Sequence, residues 1–558
     1  MQTYFSTVLL IFVLALSANA QLRYEPVMTT GEKHGKGLAE SNMYLVGKTD
    51  QHLIYLSGKG KGTAIGVGIM DPIAIGTKIA LHLSFYNKKL DLVKEVSLGE
   101  IKMMALNGAN DKNYEFTYQD QEGVIWVIYS TGSKGMNRLY RTRLNDAQTG
   151  FEKPILISQQ RIGSDKISKQ GTYNIKLSDD KNLLCVYSIS SNRKAENSNA
   201  YVHVFDHQFN SKWSMISKVP QYRKNNFTSK LSIGLDKVEN FKDHKILLSN
   251  SGVLNIFNRV SGKKNTYAHL LYSFSEGKRN PIVKTFTNDK EYLKGLYLTE
   301  YEDQIGVIGY YANLETKGYK INGLYIELMD PIFLKTKNKK KIEFTNKNKV
   351  DFMTSGYYPK TSKYESKFVS KDENLRKKLE KGKEIGMGNS YYPLKLITNS
   401  NGTFTLVSEA LTAMTTSSTS TFGGIATTDV STKYTFGDIC FVNFDKEGKI
   451  HWISNFHKYQ KLEEGAALSG GVLLIENDDV LSFMYANVNV DKMQYGEISL
   501  ENGKIESKDI YPLKNDKIEG HWLMMKSFND YAPNSYIGLA SKVFKTKMIT
   551  LQLKEKSL

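Results

Sequence analysis

The sequence predicts an all-β protein: a single β-propeller of seven or eight four-stranded blades, carrying a Lys-rich, partly helical insertion and a long Thr-rich hairpin arm. Three observations predict it. First, one unit recurs about eight times at intervals of roughly 55 to 95 residues, a spacing that suits four-stranded blades. In each copy an apolar strand ends in Tyr, Ser or Ala, a loop of variable length follows, and then come an alternating strand, a turn and a further strand. Second, Tyr (34) and Phe (25) are abundant, and both favour strands. Third, the turns match. Phe205-Asp206 precedes Trp213 at the offset at which Phe444-Asp445 precedes Trp452, and Phe85 and Val93 share it. That arrangement puts aromatics on paired strands, where they pack between neighbouring blades. Two packed β-domains, or a sandwich followed by a smaller propeller, are the other architectures these copies allow.

Residues 1–20 read as a signal peptide. Val8 to Leu16 is an apolar core too short to span a bilayer, and Ala18-Asn19-Ala20 supplies the cleavage pattern, leaving Gln21 as the mature N-terminus. The propeller then occupies 21–558. Its copies open at Leu53, Val124, Leu183, Ile246, Ile305, Thr403, Val480 and Tyr536. After the last copy only Met548 to Leu553 remains, so its blade is complete only if a strand from the mature N-terminus joins it.

Two segments interrupt the pattern. Residues 335–390 form a basic insertion with Lys335, Lys337, Lys339, Lys340 and Lys341 at its start. A helix follows, opened by the capping box at Ser370-Lys371-Asp372-Glu373, packed by Leu375 and Leu379 and closed by Gly382 and Gly386. Residues 412–432 form a Thr/Ser-rich arm with Phe422-Gly423-Gly424 near its middle, between a strand at Thr403–Ser408 and another at Asp438–Phe444. Insertions in adjacent blades can share one contact surface.

The net charge is +18, and Lys greatly outnumbers Arg. A Lys-rich proteome explains this, as does attraction to a polyanion such as lipopolysaccharide, an acidic glycan or extracellular DNA. Scarce Arg argues against base-specific readout of nucleic acid. Cys185 and Cys440 sit mid-strand in apolar runs, which favours buried thiols, although a disulfide between them stays open. No nucleophile elbow, zinc-protease helix, P-loop or dinucleotide fingerprint occurs. His203 and His207 fall on a strand and its turn, not on one helical face, and His451 and His457 read as exposed strand or turn residues.

The run Glu380 to Gly386, the Thr-rich arm, Gly437 to Phe444, and Gly448-Lys449-Ile450-His451-Trp452 followed by His457-Lys458-Tyr459-Gln460 resemble secreted, propeller-like proteins of Bacteroidetes. The resemblance is closest over residues 370–490. It implies an envelope location and a binding or scaffolding role, and it carries over no catalytic residue. Propeller-like periplasmic proteins of such bacteria also accompany outer-membrane machinery, protein-export channels included; this is an analogy of fold and place.

The expected function is therefore non-enzymatic binding or scaffolding in the bacterial envelope, periplasmic or outer-membrane associated, alternatively extracellular. The partner is an envelope protein, such as an outer-membrane complex or export channel, or a polyanion, met through one propeller face. The candidate contact residues are Lys339, Lys340, Lys341, Arg376, Lys377, Lys378, Thr415, Thr416 and Phe422. No catalytic, metal or cofactor site is expected, and no membrane span in the mature chain. The alternative is a secreted glycan-active hydrolase or lyase, with carboxylates or Tyr and His in the propeller funnel.

Overall fold

The structure is a computed structural model. It describes residues 22–555, apart from 35–39, 62–77, 104–111, 134–135, 162–172, 191–196, 221–245, 262–266, 287–290, 314–319, 356–364, 389, 423–424, 464–469, 488–491, 511–521, 533 and 543–544. Residues 1–20, read above as a signal peptide, and the expected cleavage site after Ala20 lie outside these residues.

The first strand, β1 (Tyr24–His34), precedes blade 1, which is β2 (Glu40–Lys48), β3 (Leu53–Lys61), β4 (Lys78–Tyr86) and β5 (Leu92–Met103). Blade 2 is β6 (Lys112–Gln119), β7 (Ile125–Ser133), β8 (Met136–Arg143) and β9 (Ile155–Arg161). Blade 3 is β10 (Asn174–Leu177), β11 (Leu183–Ser190), β12 (Asn197–Asp206) and β13 (Ser211–Pro220). Blade 4 is β14 (Ile246–Leu248), β15 (Leu254–Ser261), β16 (Tyr267–Phe274) and β17 (Ile282–Phe286). Blade 5 is β18 (Glu291–Tyr301), β19 (Gln304–Asn313), β20 (Ile321–Met329) and β21 (Thr336–Glu343). Two helices follow, α1 (Asn346–Met353) and α2 (Glu365–Glu380). Blade 6 is β22 (Tyr391–Thr398), β23 (Phe404–Phe422), β24 (Ile425–Phe444) and β25 (Ile450–Phe456), extended by β26 (Gln460–Glu463). Blade 7 is β27 (Leu473–Asn477), β28 (Val480–Asn487), β29 (Lys492–Ser499) and β30 (Ile505–Ile510). Blade 8 is β31 (Trp522–Ala532), β32 (Ser535–Lys542) and β33 (Lys545–Glu555), and β1 pairs with β33 as its fourth strand.

The fold is thus an eight-bladed propeller, all-β apart from α1 and α2 among the described residues. The first strands of the blades lie next to one another in succession (β2 against β6, then β10, β14, β18 and β22, and β27 against β31 and back to β2), so they line the axis. A Lys395–Glu476 ion pair joins β22 to β27 across the remaining step. The units legible in the sequence are the second, third and fourth strands. The exception is blade 4, whose copy opens on its first strand, Ile246–Leu248; other first strands went unrecognised because they are short and lack a clean apolar alternation, as Asn174–Leu177 does.

The ring closes with the N-terminal strand, as the incomplete last copy requires. Glu497 of blade 7 fastens it. Its carboxylate accepts the backbone N–H of Arg23 (2.6 Å) and of Tyr24 (2.8 Å), and the Tyr495 hydroxyl (2.6 Å). Arg23 also pairs with Asp479 and Glu555.

The core is a set of apolar layers between blades. Trp213 and Trp452 behave as expected, each reaching the next blade: Trp213 Nε1 donates to Gly252 O and Trp452 Nε1 to Glu501 O, both at 3.2 Å. The turn at Asn502-Gly503, between β29 and β30, needs glycine at its second position. The φ of Gly503 is +72°, and a Cβ there would lie 2.5 Å from the Trp452 ring. Val93, at the third matching offset, is 52% exposed and makes no such bridge. Cys185 and Cys440 are separate buried thiols, so no disulfide joins them.

Candidate functional site

In each blade the strands alternate in direction. The turns joining first to second and third to fourth strands therefore share one end of the propeller. The second-to-third connections and the links between blades share the other. The insertion is the link from blade 5 to blade 6, and the arm is the second-to-third connection of blade 6, so both rise from that second end.

The arm is two continuous strands, not a loop between short ones. Cα partners run without a break in pairing from Phe404↔Phe444 out to Phe422↔Ile425, with one register shift between Glu409 and Leu411. The stretch from Ala413↔Tyr434 to the tip projects about 30 Å at strand rise. At its root β26 pairs with β24 over Lys433–Phe436, continuing the place that β25 holds along Ile439–Phe444. Residues 412–432 carry a single charge, Asp429. Along the ribbon Thr415 pairs with Thr432, Thr416 with Ser431 and Phe422 with Ile425.

The insertion begins later than its basic run suggests. Lys339, Lys340 and Lys341 belong to β21, the outermost strand of blade 5, so residues 336–343 are part of the blade. Lysines on an outer strand protect an open sheet edge from pairing. Two of these ammonium groups sit over rings, Lys339 over Tyr325 (5.4 Å) and Lys341 over Tyr311 (5.8 Å). Lys340 donates to Lys446 O at 2.9 Å. They are edge lysines of the blade wall, not residues of the insertion.

The insertion proper is α1 and α2. The capping box that operates is on α1, where Thr345 caps Asn348 N–H and Asn348 returns a bond to Thr345 N–H, both at 3.1 Å. The box expected at Ser370 is not one: α2 already runs from Glu365, and Ser370 and Glu373 are interior. Asp372 is buried instead of capping. The far end follows expectation. Gly382, at φ +63°, donates to Leu379 O and Lys383 to Lys378 O, a two-bond glycine cap.

Val350, Phe352 and Met353 of α1, with Ile385 and Met387, enter the core between blades 5 and 6, where Phe352 meets Tyr391 edge-on at 4.7 Å. On α2 the inward stripe is Phe368, Asp372, Leu375 and Leu379, at helical spacing. Arg376, Lys377 and Lys378 are exposed on the remaining surface.

Where α2 meets the arm root lies a buried polar cluster that sequence reasoning missed. The fourth strand of blade 6 breaks between β25 and β26, and His457 and Lys458 turn inward at the break. His457, expected to be exposed, has 0% exposure. Its Nε2 lies 2.9 Å from Asp372 Oδ2 and its Nδ1 3.1 Å from Asp438 Oδ1, and the ring stacks on Phe368 at 4.5 Å. Asp372 Oδ2 also accepts Ser355 N–H at 2.9 Å. Lys458, equally buried, forms an ion pair with Glu409 of β23 and sits over the rings of Phe436 and Tyr485. Burial pushes its pKa down, while Glu409 and Asp438 hold it up. Both nitrogens of His457 are taken by carboxylates, so the cluster clamps α2 to the root of the arm.

The other end of the axis is acidic. Side chains and turns of four blades are stitched together there. Gln121 donates to Asp180 O (2.8 Å), Asp180 N–H reaches Asn250 Oδ1 (3.3 Å), and Asn250 N–H reaches Glu300 Oε2 (3.2 Å). Burial, opposed by the Asn250 N–H but reinforced by Asp179, Asp180 and Asp303, raises the Glu300 pKa. Burial and then the charges of Asp179 and Glu476 raise that of Tyr297. A tyrosine base needs the opposite environment, and a carboxylate-rich mouth repels an acidic glycan. His203, for its part, bridges Tyr201 (3.0 Å) and Ser211 (2.7 Å), and burial pushes its pKa down to about 4.

No protein-family model and no curated protein matches the chain. Among solved structures it is similar to the polysaccharide lyase Uly1, at 8% identity and a TM-score of 0.34, covering 97% of this chain and 95% of that one. It is also similar to the WD40 domain of SCAP from fission yeast (9% identity, TM-score 0.32, 94% and 97% covered). A third is the β-propeller domain of the Trilobed protease from Pyrococcus furiosus (8% identity, TM-score 0.32, 86% and 99% covered). At these levels the assignment of the propeller rests on the blade topology above.

Proposed function

We propose that the chain is a non-enzymatic binding or scaffold protein of the bacterial envelope, exported by its N-terminal segment to the periplasm or the outer membrane. Its partner is an envelope protein, of the kind found in outer-membrane complexes or export channels, or an anionic surface glycan. It meets that partner through the end of the propeller that carries the arm and the insertion.

The observation that carries this reading is the construction of that end. The helical link from blade 5 to blade 6 and the arm of blade 6 rise from the same end, and a buried Asp–His–Asp clamp and a buried Lys–Glu pair hold their shared root. Anchoring of this quality positions an element that extends beyond the core. The exposed Arg376, Lys377 and Lys378 add positive charge beside a nearly neutral ribbon.

The test replaces residues 412–432 with a tight turn and compares both proteins in mild-detergent pull-downs from the native cells. The expected result is a folded protein that has lost a stoichiometric envelope partner. Retention of that partner would remove the arm from the interface. If the partner is a polyanion, binding to purified lipopolysaccharide should weaken steeply with salt, as phosphate contacts release counterions.

A further inference from the structure

His457 sits where three elements meet: α2, β24 and the break between β25 and β26. Its two ring nitrogens face Asp372 Oδ2 and Asp438 Oδ1 at 2.9 and 3.1 Å. An ionised carboxylate only accepts hydrogen bonds, and a neutral imidazole has one donor and one acceptor. Both contacts are satisfied together only by the imidazolium, which donates from each nitrogen. Among the described side chains of α2, Asp372 is the one acidic residue on the inward stripe, so this histidine holds the helix through its charge as well as its shape.

We propose that Asp372–His457–Asp438 is a proton-dependent latch: protonated His457 holds α2 against the root of the arm, and loss of that proton releases the helix.

The surrounding charges set its direction. α2 contributes Asp372 and Lys371, whose Nζ is 3.8 Å from Asp438 Oδ2. β24 contributes Asp438 and the buried Cys440 thiol, and β22 the buried Tyr391 hydroxyl; burial pushes both of these groups up, so they stay neutral. The break itself contributes Lys458, paired with Glu409 of β23, and Tyr485 of blade 7 lies under that ammonium at 5.3 Å. Among these groups three carboxylates meet three cations while His457 is charged. Deprotonation leaves one buried negative charge in excess.

Burial opposes the charge on His457, but the hydrogen bonds to Asp372 and Asp438 and their charges outweigh it, and its pKa stands above the ordinary 6.5. A raised folded-state pKa gives stability that is complete below the unfolded value and disappears as pH climbs through the folded value. The latch is therefore closed in mild acid and opens toward alkaline pH. It needs no partner, so it stands or falls separately from the binding role.

The test is limited trypsin digestion of the full chain from pH 6 to 9, scored at Arg376, Lys377 and Lys378, with each rate divided by that of a peptide of the same sequence at the same pH. The expected normalised rate is flat at low pH and rises through an inflection above the ordinary histidine value. His457→Gln carries its donors on one nitrogen and presents a carbonyl oxygen to the other carboxylate, so its helix should be cut fast at every pH. If that variant does not fold, Asp372→Asn serves: the imidazole then needs no second charge-assisted bond, and the inflection should move to lower pH. A wild-type profile without an inflection, or an Asp372→Asn profile identical to wild type, would overturn the latch.

Discussion

At the scale of single residues, burial decides chemistry. Cys185 and Cys440 are both 0% exposed, and burial raises both thiol pKa values, so neither is a reactive thiolate. Native protein should therefore give no reaction with a thiol reagent near neutral pH, and two equivalents only once unfolded. Lys458 and Glu409 make the sharper case. Removing one member of a buried ion pair strands the other, so Lys458→Met is expected to lose about 3–5 kcal/mol by chemical denaturation. Adding Glu409→Leu to it should recover much of that loss, since a buried pair itself contributes little over apolar packing. Some of this scale was legible in the sequence. The mid-strand placement of both cysteines and the matched turns before Trp213 and Trp452 pointed to the right environments. His457 was misjudged because its partners lie 85 and 19 positions away in the chain. No local spacing encodes such a meeting.

At the scale of elements, turn chemistry and strand alternation travelled well, and boundaries did not. The turn at Asn502-Gly503 joins β29 to β30 as its sequence demands. Gly503→Ala combines strain at positive φ with a clash against Trp452, so a loss of about 1–3 kcal/mol is expected, read as a lower thermal midpoint. The arm should behave in the opposite way. Beyond Ala413 it pairs, among the described residues, only with itself and, at its root, with β26, so removing 412–432 should leave the unfolding midpoint almost unchanged. An isolated two-stranded ribbon contributes little stability of its own. The helix start was misplaced by five residues because Ser370-Lys371-Asp372-Glu373 has the letters of a capping box. Tertiary burial of Asp372 put those residues to another use. The lysines at 339–341 were likewise legible as basic but not as a strand, because an outer strand with one buried residue in eight shows almost no apolar alternation.

At the scale of the whole molecule, stability depends on closing the ring. β1 is the last strand of blade 8, and its first residues are clamped by Glu497 of blade 7. Removing residues 22–34 should expose the edge of β33, lower the unfolding midpoint by several degrees and promote aggregation, measured by light scattering during a thermal scan. Glu497→Gln should give a milder form of the same defect, since it keeps the shape and loses the charge-assisted bonds. The molecule is also polar in a second sense. Its tight-turn end gathers Asp179, Asp180, Glu300 and Asp303, while α2 places Arg376, Lys377 and Lys378 at the other, in a chain of net charge +18.

The sequence by itself determined the class of fold, the need for an N-terminal strand to complete the last blade, the two interruptions of the pattern and the packing of two tryptophans. Each of these is written in local periodicity or turn chemistry, which act over a few residues. Only the tertiary structure decided the count of eight blades, the assignment of residues 336–343 to a blade edge, and the shared root of arm and helix. Those depend on which distant segments meet. Burial can reward such meetings only after the chain has folded, so the pattern of neighbouring residues does not carry them.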